Sequence, residues 1–484
     1  MIIKSDINTI RAYFEDSSNL KGGSAQAVVF PENVAELSSF LKDANSKKIP
    51  VTISGGGTGT AGGRIPFGGY GLSMERFNRV IDVSAGRMSA VVEAGAPVEG
   101  FKDACEKEGL FYTSHPTEKT AFVGGTVATN ASGARSFKYG PTRKYVKRLR
   151  MVLANGEIVD IKRGEILITK KNPLVRLPGG SQIRVPVPSY RMPAVKNSAG
   201  YYAKDGMDLI DLFIGQEGTL SVITEIEIAL VKKPAEIFSC FVFFKEEKDA
   251  VGFSKAAKTL DALSIEYFDS NSLCLLRAKS ANVPQTAGAA VFFEQELTGK
   301  NNDRVVEEWI GLISSCGSSE NDTWVAMSEK DAKGFIELRH SIPESINEIV
   351  RSRGFQKLST DIAVPDDKFS GMLAYYTAQF AENSIDHAIF GHIGESHLHV
   401  NLLPKNEKEL ELAREIALEF IKKGVSLGGT ISAEHGVGKT KHKYLEAMYG
   451  RSGVLEMARI KKAFDPGCIL GLGNIFPKEI LDEV

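Results

Sequence analysis

Histidine is the residue whose placement in this chain most directly suggests chemistry. Six of the eight histidines, His387, His392, His397, His399, His435 and His442, fall within residues 387–442. In Gly391-His392-Ile393-Gly394-Glu395-Ser396-His397-Leu398-His399-Val400-Asn401 the last residues alternate, which predicts a strand with His397, His399 and Asn401 on one face. His392 precedes a glycine turn that can fold it back. Glu434-His435, supplied from a separate segment, completes an N/N/O set able to bind a divalent cation and leave positions open for substrate. A lone histidine is more often a buried structural residue than a ligand; the clustering reverses that expectation. No H-E-x-x-H is present, so a zinc hydrolase of that type is excluded.

Glycine is the second signal, with 47 in 484 residues, about 10% against a usual ~7%. The run Ser54-Gly55-Gly56-Gly57-Thr58-Gly59-Thr60-Ala61-Gly62-Gly63 contains a literal G-x-G-x-x-G. A Rossmann loop must open directly into a helix facing the pyrophosphate, whereas Arg64-Ile65-Pro66-Phe67-Gly68-Gly69 cannot propagate one. Such a loop can still hold a diphosphate, because successive backbone N–H groups form an anion-binding concavity that a Cβ would obstruct. The small-residue stretch 121–133 and the stretch Phe213-Ile214-Gly215-Gln216-Glu217-Gly218-Thr219-Leu220 have the same character. Three such stretches in one domain imply one extended ligand. Gly436-Val437-Gly438-Lys439-Thr440 matches the end of a P-loop, but the pattern needs glycine where Ala433 stands, so nucleoside triphosphate binding there is rejected.

Pro50 through Gly63, Gly124-Gly125-Thr126, Lys138-Tyr139-Gly140 and Gly215-Gln216-Glu217-Gly218-Thr219 together resemble the FAD-binding domain of the vanillyl-alcohol oxidase and p-cresol methylhydroxylase superfamily. The resemblance implies FAD held by Gly55, Gly56, Gly57, Thr58, Gly59, Thr60, Pro116, Thr117, Gly124, Gly125, Thr126, Ala128, Asn130, Gly133, Glu217, Gly218, Ile223 and Asn474. Relatives that attach the flavin through histidine carry it where this chain has Thr58, so non-covalent FAD is expected. Many also have arginine where Ser54 stands.

GHIGESHLHVN and ISAEHGVGK resemble the paired signatures of the D-2-hydroxyacid dehydrogenase branch, which includes D-lactate dehydrogenases and the glycolate oxidase flavin subunit. That match implies His392, His399 and Glu434 as ligands of zinc or manganese, His435 as base, Asn401 in the substrate pocket and Arg339 on the substrate carboxylate. The branch usually has Gly-Asp-Gly-Asn where Gly394-Glu395-Ser396-His397 stands, putting histidine at an asparagine position. Some relatives carry a second cation at Ser359; here Lys357 is nearby. The activity implied is FAD-dependent oxidation of a small D-2-hydroxy acid of the D-lactate, glycolate or D-2-hydroxyglutarate type. The alternatives are an ether-lipid synthase of the same superfamily or a flavin-carrying electron-transfer subunit.

The elements that must position these residues read as an α+β chain. Residues 1–24 are expected to be a helical lead-in. Residues 25–233 form the FAD-binding domain, opening as β-α-β and continuing as short strands, with an Asn155-Gly156 hairpin signal and a Lys/Pro/Gly-rich excursion at 165–206 lying outside the core. Residues 234–430 form a substrate, or cap, domain with an antiparallel sheet. Residues 431–484 form a helical segment that returns to the flavin.

Composition limits the partners. With 59 basic and 60 acidic side chains the net charge is -1, which argues against nucleic acid. Five cysteines without a CxxC pair indicate neither a disulfide framework nor an iron–sulfur site. No apolar stretch approaches a membrane span. The expectation is a cytoplasmic protein, peripheral at most at a membrane, with a small 2-hydroxy acid as substrate and a quinone, electron-transferring flavoprotein or cytochrome as electron acceptor. A homodimer and a subunit of an oxidase complex are both compatible with the chain.

Overall fold

The computed structural model of the chain describes residues 1–114, 118–299, 302–355 and 358–484. The fold is α+β and rests on three main sheets. The first has four strands in the order Ile2–Lys4, Ala27–Phe30, Tyr70–Ser73, Val51–Ser54, the last three mutually parallel. Ala27–Phe30 is buried along its length, as a strand covered on both faces must be. The helix Val34–Ser46 crosses between the parallel strands, capped by Asn33, whose side chain accepts from the Glu36 N–H. Leu37, Phe40, Leu41 and Ala44, at helical spacing, form its buried face.

The N-terminal lead-in differs from expectation. Ile2–Lys4 is a strand, pairing antiparallel with Ala27–Phe30, and only Ile7–Ile10 is α-helical, followed by a tight turn at Arg11–Phe14. The open edge of the sheet offers hydrogen bonds that so short a helix cannot supply for itself.

The second sheet is antiparallel, in the order Val80–Ser84, Ser89–Glu93, Val222–Ala229, Val146–Val152, Ile158–Lys162. Its hairpin turns at Asn155-Gly156, where Gly156 takes φ 83°, the left-handed region open to glycine. The excursion at 165–206 forms one small strand pair, Leu174–Arg176 with Gln182–Arg184, and contributes Leu167–Ile168 to a second with Met207–Asp208, but it is not outside the core. Val175, Leu177, Val185, Ala199 and Tyr201 are buried in the main apolar cluster, because the excursion packs against the C-terminal segment His442–Phe464, two helices that meet at a kink at Gly450.

The third sheet has seven antiparallel strands in the order Thr323–Val325, Glu236–Phe244, Ala289–Leu297, Ser264–Phe268, His387–Gly391, His397–Leu402, Leu358–Ala363. Helix Glu329–Arg353 carries Arg339 against it, starting at a Ser328 cap and ending at Gly354 in the left-handed conformation. Trp309 stacks on Phe293 at 3.7 Å, and each such ring contributes roughly 1.5–3 kcal/mol by burial. The C-terminal tail returns to the first sheet, where the Val51 N–H donates to the Ile469 carbonyl at 2.7 Å and the Gly471 N–H to the Val51 carbonyl at 2.9 Å. Among the described residues no helix is long and apolar enough to cross a membrane.

Candidate active site

A single cavity of about 470 Å³ runs between the glycine stretches and the histidine cluster. At one end it is lined by Gly55, Gly56, Gly57, Thr58, Gly59, Thr60, Gly124, Gly125, Thr126, Ala128, Glu217, Gly218 and Ile223. A Cβ added to Gly55, Gly59 or Gly125 would meet nothing within 4 Å, so these three leave open space where any other residue would project. Gly57 and Gly218 take φ of 82° and 71°, which turns the chain back toward the cavity. The second stretch is a short helix, Val123–Ala128, rather than a loop, and Gly124 lets it close on the Ala94 backbone, since a Cβ there would sit 2.5 Å from the Ala94 side chain. A flat, anion-bearing ligand such as FAD fits this wall, because backbone rather than side chain faces the space.

Three residues expected on this wall stand behind it. Asn474 donates to the carbonyls of Gly63 at 2.9 Å and Glu217 at 2.8 Å, tying the first and third stretches together. The Asn130 side chain accepts from the Arg143 N–H and donates to the Asn197 carbonyl. Gly133 receives the Ser136 hydroxyl. Glu217 lines the cavity, yet its carboxylate accepts the N–H groups of Val437 at 2.8 Å and Gly438 at 2.6 Å. Burial pushes Glu217 up to about 7, against the pull of those two N–H groups. Pro116, Thr117 and Lys357 lie outside the described residues. Lys439 of the rejected P-loop donates to the Asn474 side chain and to the Gly63 carbonyl, bracing the first glycine loop from behind.

At the other end, Arg339, His340, Ser359, His392, His399, Asn401, Glu434 and His435 line the cavity. Pairing of Leu358–Ala363 with His397–Leu402 sets Asp361 opposite His399, while a parallel bridge to Ser432 brings in the Glu434-His435 segment. The Glu434 Oε1 atom is 3.3 Å from the Nε2 of both His392 and His399 and 3.6 Å from that of His435. Donor atoms of His392, His397, His399 and Glu434 all lie within 4.8 Å of one another, and the same holds for Asp361, His399, Glu434 and His435. The His399 Nδ1 is buried without a hydrogen-bond partner. Imidazoles and carboxylate converging this closely form a donor set that suits a divalent cation. His387 and His442 are not part of it: His387 stacks on Phe380 at 3.6 Å, and His442 bonds the Gly473 carbonyl at 2.7 Å.

Charge is tightly balanced here. Glu266, fully buried, holds His392 Nδ1 at 2.5 Å and the Arg339 guanidinium at 2.6 Å. Burial would raise its carboxyl, but Arg339 and His392 hold it down at about 2. Burial lowers His392 while Glu266 and Glu434 raise it by more, leaving it at about 9. Asp361 accepts the His435 backbone N–H at 2.9 Å and lies 3.3 Å from its Nδ1. Burial outweighs this carboxylate and lowers His435 to about 4.

Four side chains at the candidate site escaped the reading of the sequence. Lys196, buried in the excursion, sits 2.9 Å from both Glu434 and Glu395. Glu266 and Asp361 orient the histidines, and Arg64 lines the cavity beside the first loop, its guanidinium donating to the Ala12 carbonyl. Only Arg64 had a local signal, as the cation next to a loop that lacks one at Ser54. The others come from segments remote in sequence.

The FAD binding domain family matches residues 25–162, and the family described as FAD linked oxidases, C-terminal domain, matches residues 233–475. Glycolate oxidase subunit GlcD of Bacillus subtilis is 30% identical, covering 95% of this chain and 90% of its own. D-lactate dehydrogenase of Archaeoglobus fulgidus is 31% identical over 93% of this chain and 91% of its own. D-2-hydroxyglutarate dehydrogenase of Stutzerimonas stutzeri is 24% identical over 98% and 96%. Among solved structures, an alkyldihydroxyacetonephosphate synthase shares the fold with a TM-score of 0.67 at 15% identity, covering 97% of this chain and 82% of that one.

Proposed function

The chain belongs to the FAD-linked oxidases, and from that premise we propose that it oxidises a small D-2-hydroxy acid to the 2-oxo acid, with non-covalent FAD and a divalent metal. The observation that carries this reading is the single cavity joining side-chain-free glycine walls to the Arg339, His392, His399, Glu434 and His435 cluster. FAD, held against the walls at 55–60 and 124–126, would supply the two-electron oxidant for the C2–H bond, to be regenerated by an external acceptor. His392, His399 and Glu434 would hold a divalent metal, which would supply Lewis acidity at the hydroxyl oxygen.

The protein's own residues do the rest. Arg339, steadied by Glu266, anchors the substrate carboxylate, a task suited to a planar guanidinium. Asn401, buried on the same strand face as His399, lines the pocket beside the bound acid. His435 takes the hydroxyl proton. Asp361 at its Nδ1 fixes the ring so that Nε2 keeps its lone pair for the substrate. A thiol or histidine at position 58 would allow flavin attachment; Thr58 offers neither.

Anaerobic mixing with D-lactate, glycolate, D-2-hydroxyglutarate and the L-enantiomers tests the proposal. One or more of the non-L acids should bleach the flavin's visible absorbance, and a flavin left oxidised by all of them would refute the assignment.

The lowered pKa of His435 sets a pH dependence. In metal-free protein the His435 ring should therefore stay neutral as pH falls from 7 and take up its proton only near about 4, as followed by NMR of its ring resonances. A break near the ordinary histidine value of ~6.5 would contradict the environment described here.

Lys196, its own side chain buried, neutralises two largely covered carboxylates. Lys196→Met should cost about 3 kcal/mol of stability in metal-free protein, because Glu395 is left with only the Ser136 hydroxyl and Glu434 with only the protonated His392 ring as a cation. Added divalent metal should then raise the melting temperature of the variant more than that of the parent. Equal responses of the two proteins would show that Lys196 does not compensate the Glu434 charge.

A further inference from the structure

We infer that His397 is a fourth protein ligand of the metal, so that this chain binds its cation with three imidazoles and one carboxylate, a set that selects zinc over manganese. The inference rests on the metal reading above and extends it to a residue that stands where the related branch usually has asparagine.

His397 is fully buried on the same strand face as His399, with ring centroids 4.7 Å apart, and its ring lies 5.2 Å from that of His392. A donor atom of His397 lies within 4.8 Å of those of His392, His399 and Glu434. Its Nε2 is 2.8 Å from the Asp361 Oδ1. The other Asp361 oxygen receives the Ser432 hydroxyl at 2.7 Å, the His435 N–H at 2.9 Å and the Lys441 ammonium at 3.2 Å. A carboxylate ringed by donors acts as an acceptor, so the hydrogen of the His397 ring sits on Nε2 and the lone pair on Nδ1. That Nδ1 is buried and has no hydrogen-bond partner. Leaving a buried acceptor unsatisfied costs about 1–3 kcal/mol, and a cation held by the neighbouring donors satisfies it.

The arrangement repeats one already present. His392 is held through Nδ1 by Glu266 and points Nε2 at Glu434; His397 is held through Nε2 by Asp361 and keeps Nδ1. Each pair has a carboxylate on one nitrogen that fixes the ring and leaves the other nitrogen basic, as is usual behind metal-bound histidines. Asp361 also lies beside His435 Nδ1, so one carboxylate orients both a ligand and the base. Four protein donors hold the cation before substrate arrives. Imidazole-rich sets favour zinc, whereas manganese favours carboxylates and waters.

The test uses full-length, FAD-loaded protein stripped with a chelator and reloaded with Zn²⁺ or Mn²⁺ alone. Zinc-edge X-ray absorption of the parent should count three imidazoles; a count of two overturns the inference without any variant. In competition with a chromophoric chelator, His397→Asn should weaken zinc binding by more than about 100-fold, beyond the 10–100-fold typical of losing an outer partner, with flavin content unchanged and manganese affected less. Unchanged zinc affinity in the variant overturns the fourth ligand and leaves the three-ligand metal reading standing. A parent protein that takes up no zinc and no manganese overturns both.

Discussion

Replacing His435 with alanine is expected to slow flavin reduction by the 2-hydroxy acid about 10²–10⁴-fold, the usual contribution of a positioned general base, while FAD stays bound. The separation of these effects follows from where His435 sits. Its ring stacks on His399 at 5.2 Å and meets Asp361, at the far end of the cavity from the glycine walls. Truncating it removes the proton acceptor and leaves the Asp361 contacts to His397, Ser432 and Lys441 in place. Stopped-flow reduction under anaerobic conditions, with flavin content measured on the same sample, checks both halves. Reduction at the parental rate would remove His435 from the chemistry.

Gly125→Phe should do the converse, cutting FAD content at least tenfold while the chain still folds. The two glycines of this helix are not equivalent. At Gly124 a side chain would strike the Ala94 backbone oxygen at 2.7 Å, so substitution there strains the fold itself. At Gly125 a Cβ meets nothing within 4 Å, and the ring would occupy the cavity instead. Loss of about 1.4 kcal/mol of binding is enough for a tenfold effect, and a phenyl group in the ligand's space should exceed that. Circular dichroism close to that of the parent with little bound flavin is the expected pair of results. A fully flavinated variant would mean that the cofactor does not lie against this wall.

How much of the site was visible in advance depends on how local the signal was. The alternation His397, His399, Asn401 is a property of five consecutive residues, and the strand His397–Leu402 realises it directly. The Asn155-Gly156 hairpin is equally local, since its turn needs the positive φ that Gly156 takes. Proximity in sequence misled where the fold separated neighbours. His387 and His442 belong to the same run of histidines, yet one is spent on Phe380 and Asn271 and the other on backbone carbonyls. Chemical type did not announce a second task of two such residues, for Glu217, which lines the cavity, and Asn474 also join loops.

By itself the sequence determined the chemistry available: glycine walls without side chains, a cluster of imidazoles, the Glu434-His435 pair, and the family that combines them. Tertiary structure alone decided which charges meet. Lys196 reaches Glu434 over a sequence separation of 238, and Glu266 reaches His392 over one of 126. Such pairs leave no local trace, because strand register and the packing of the excursion under the C-terminal helix create them. A buried carboxylate is stable only beside a cation or a hydrogen-bond donor, so the partners that set the properties of His392, His397 and His435 exist only once the chain has folded.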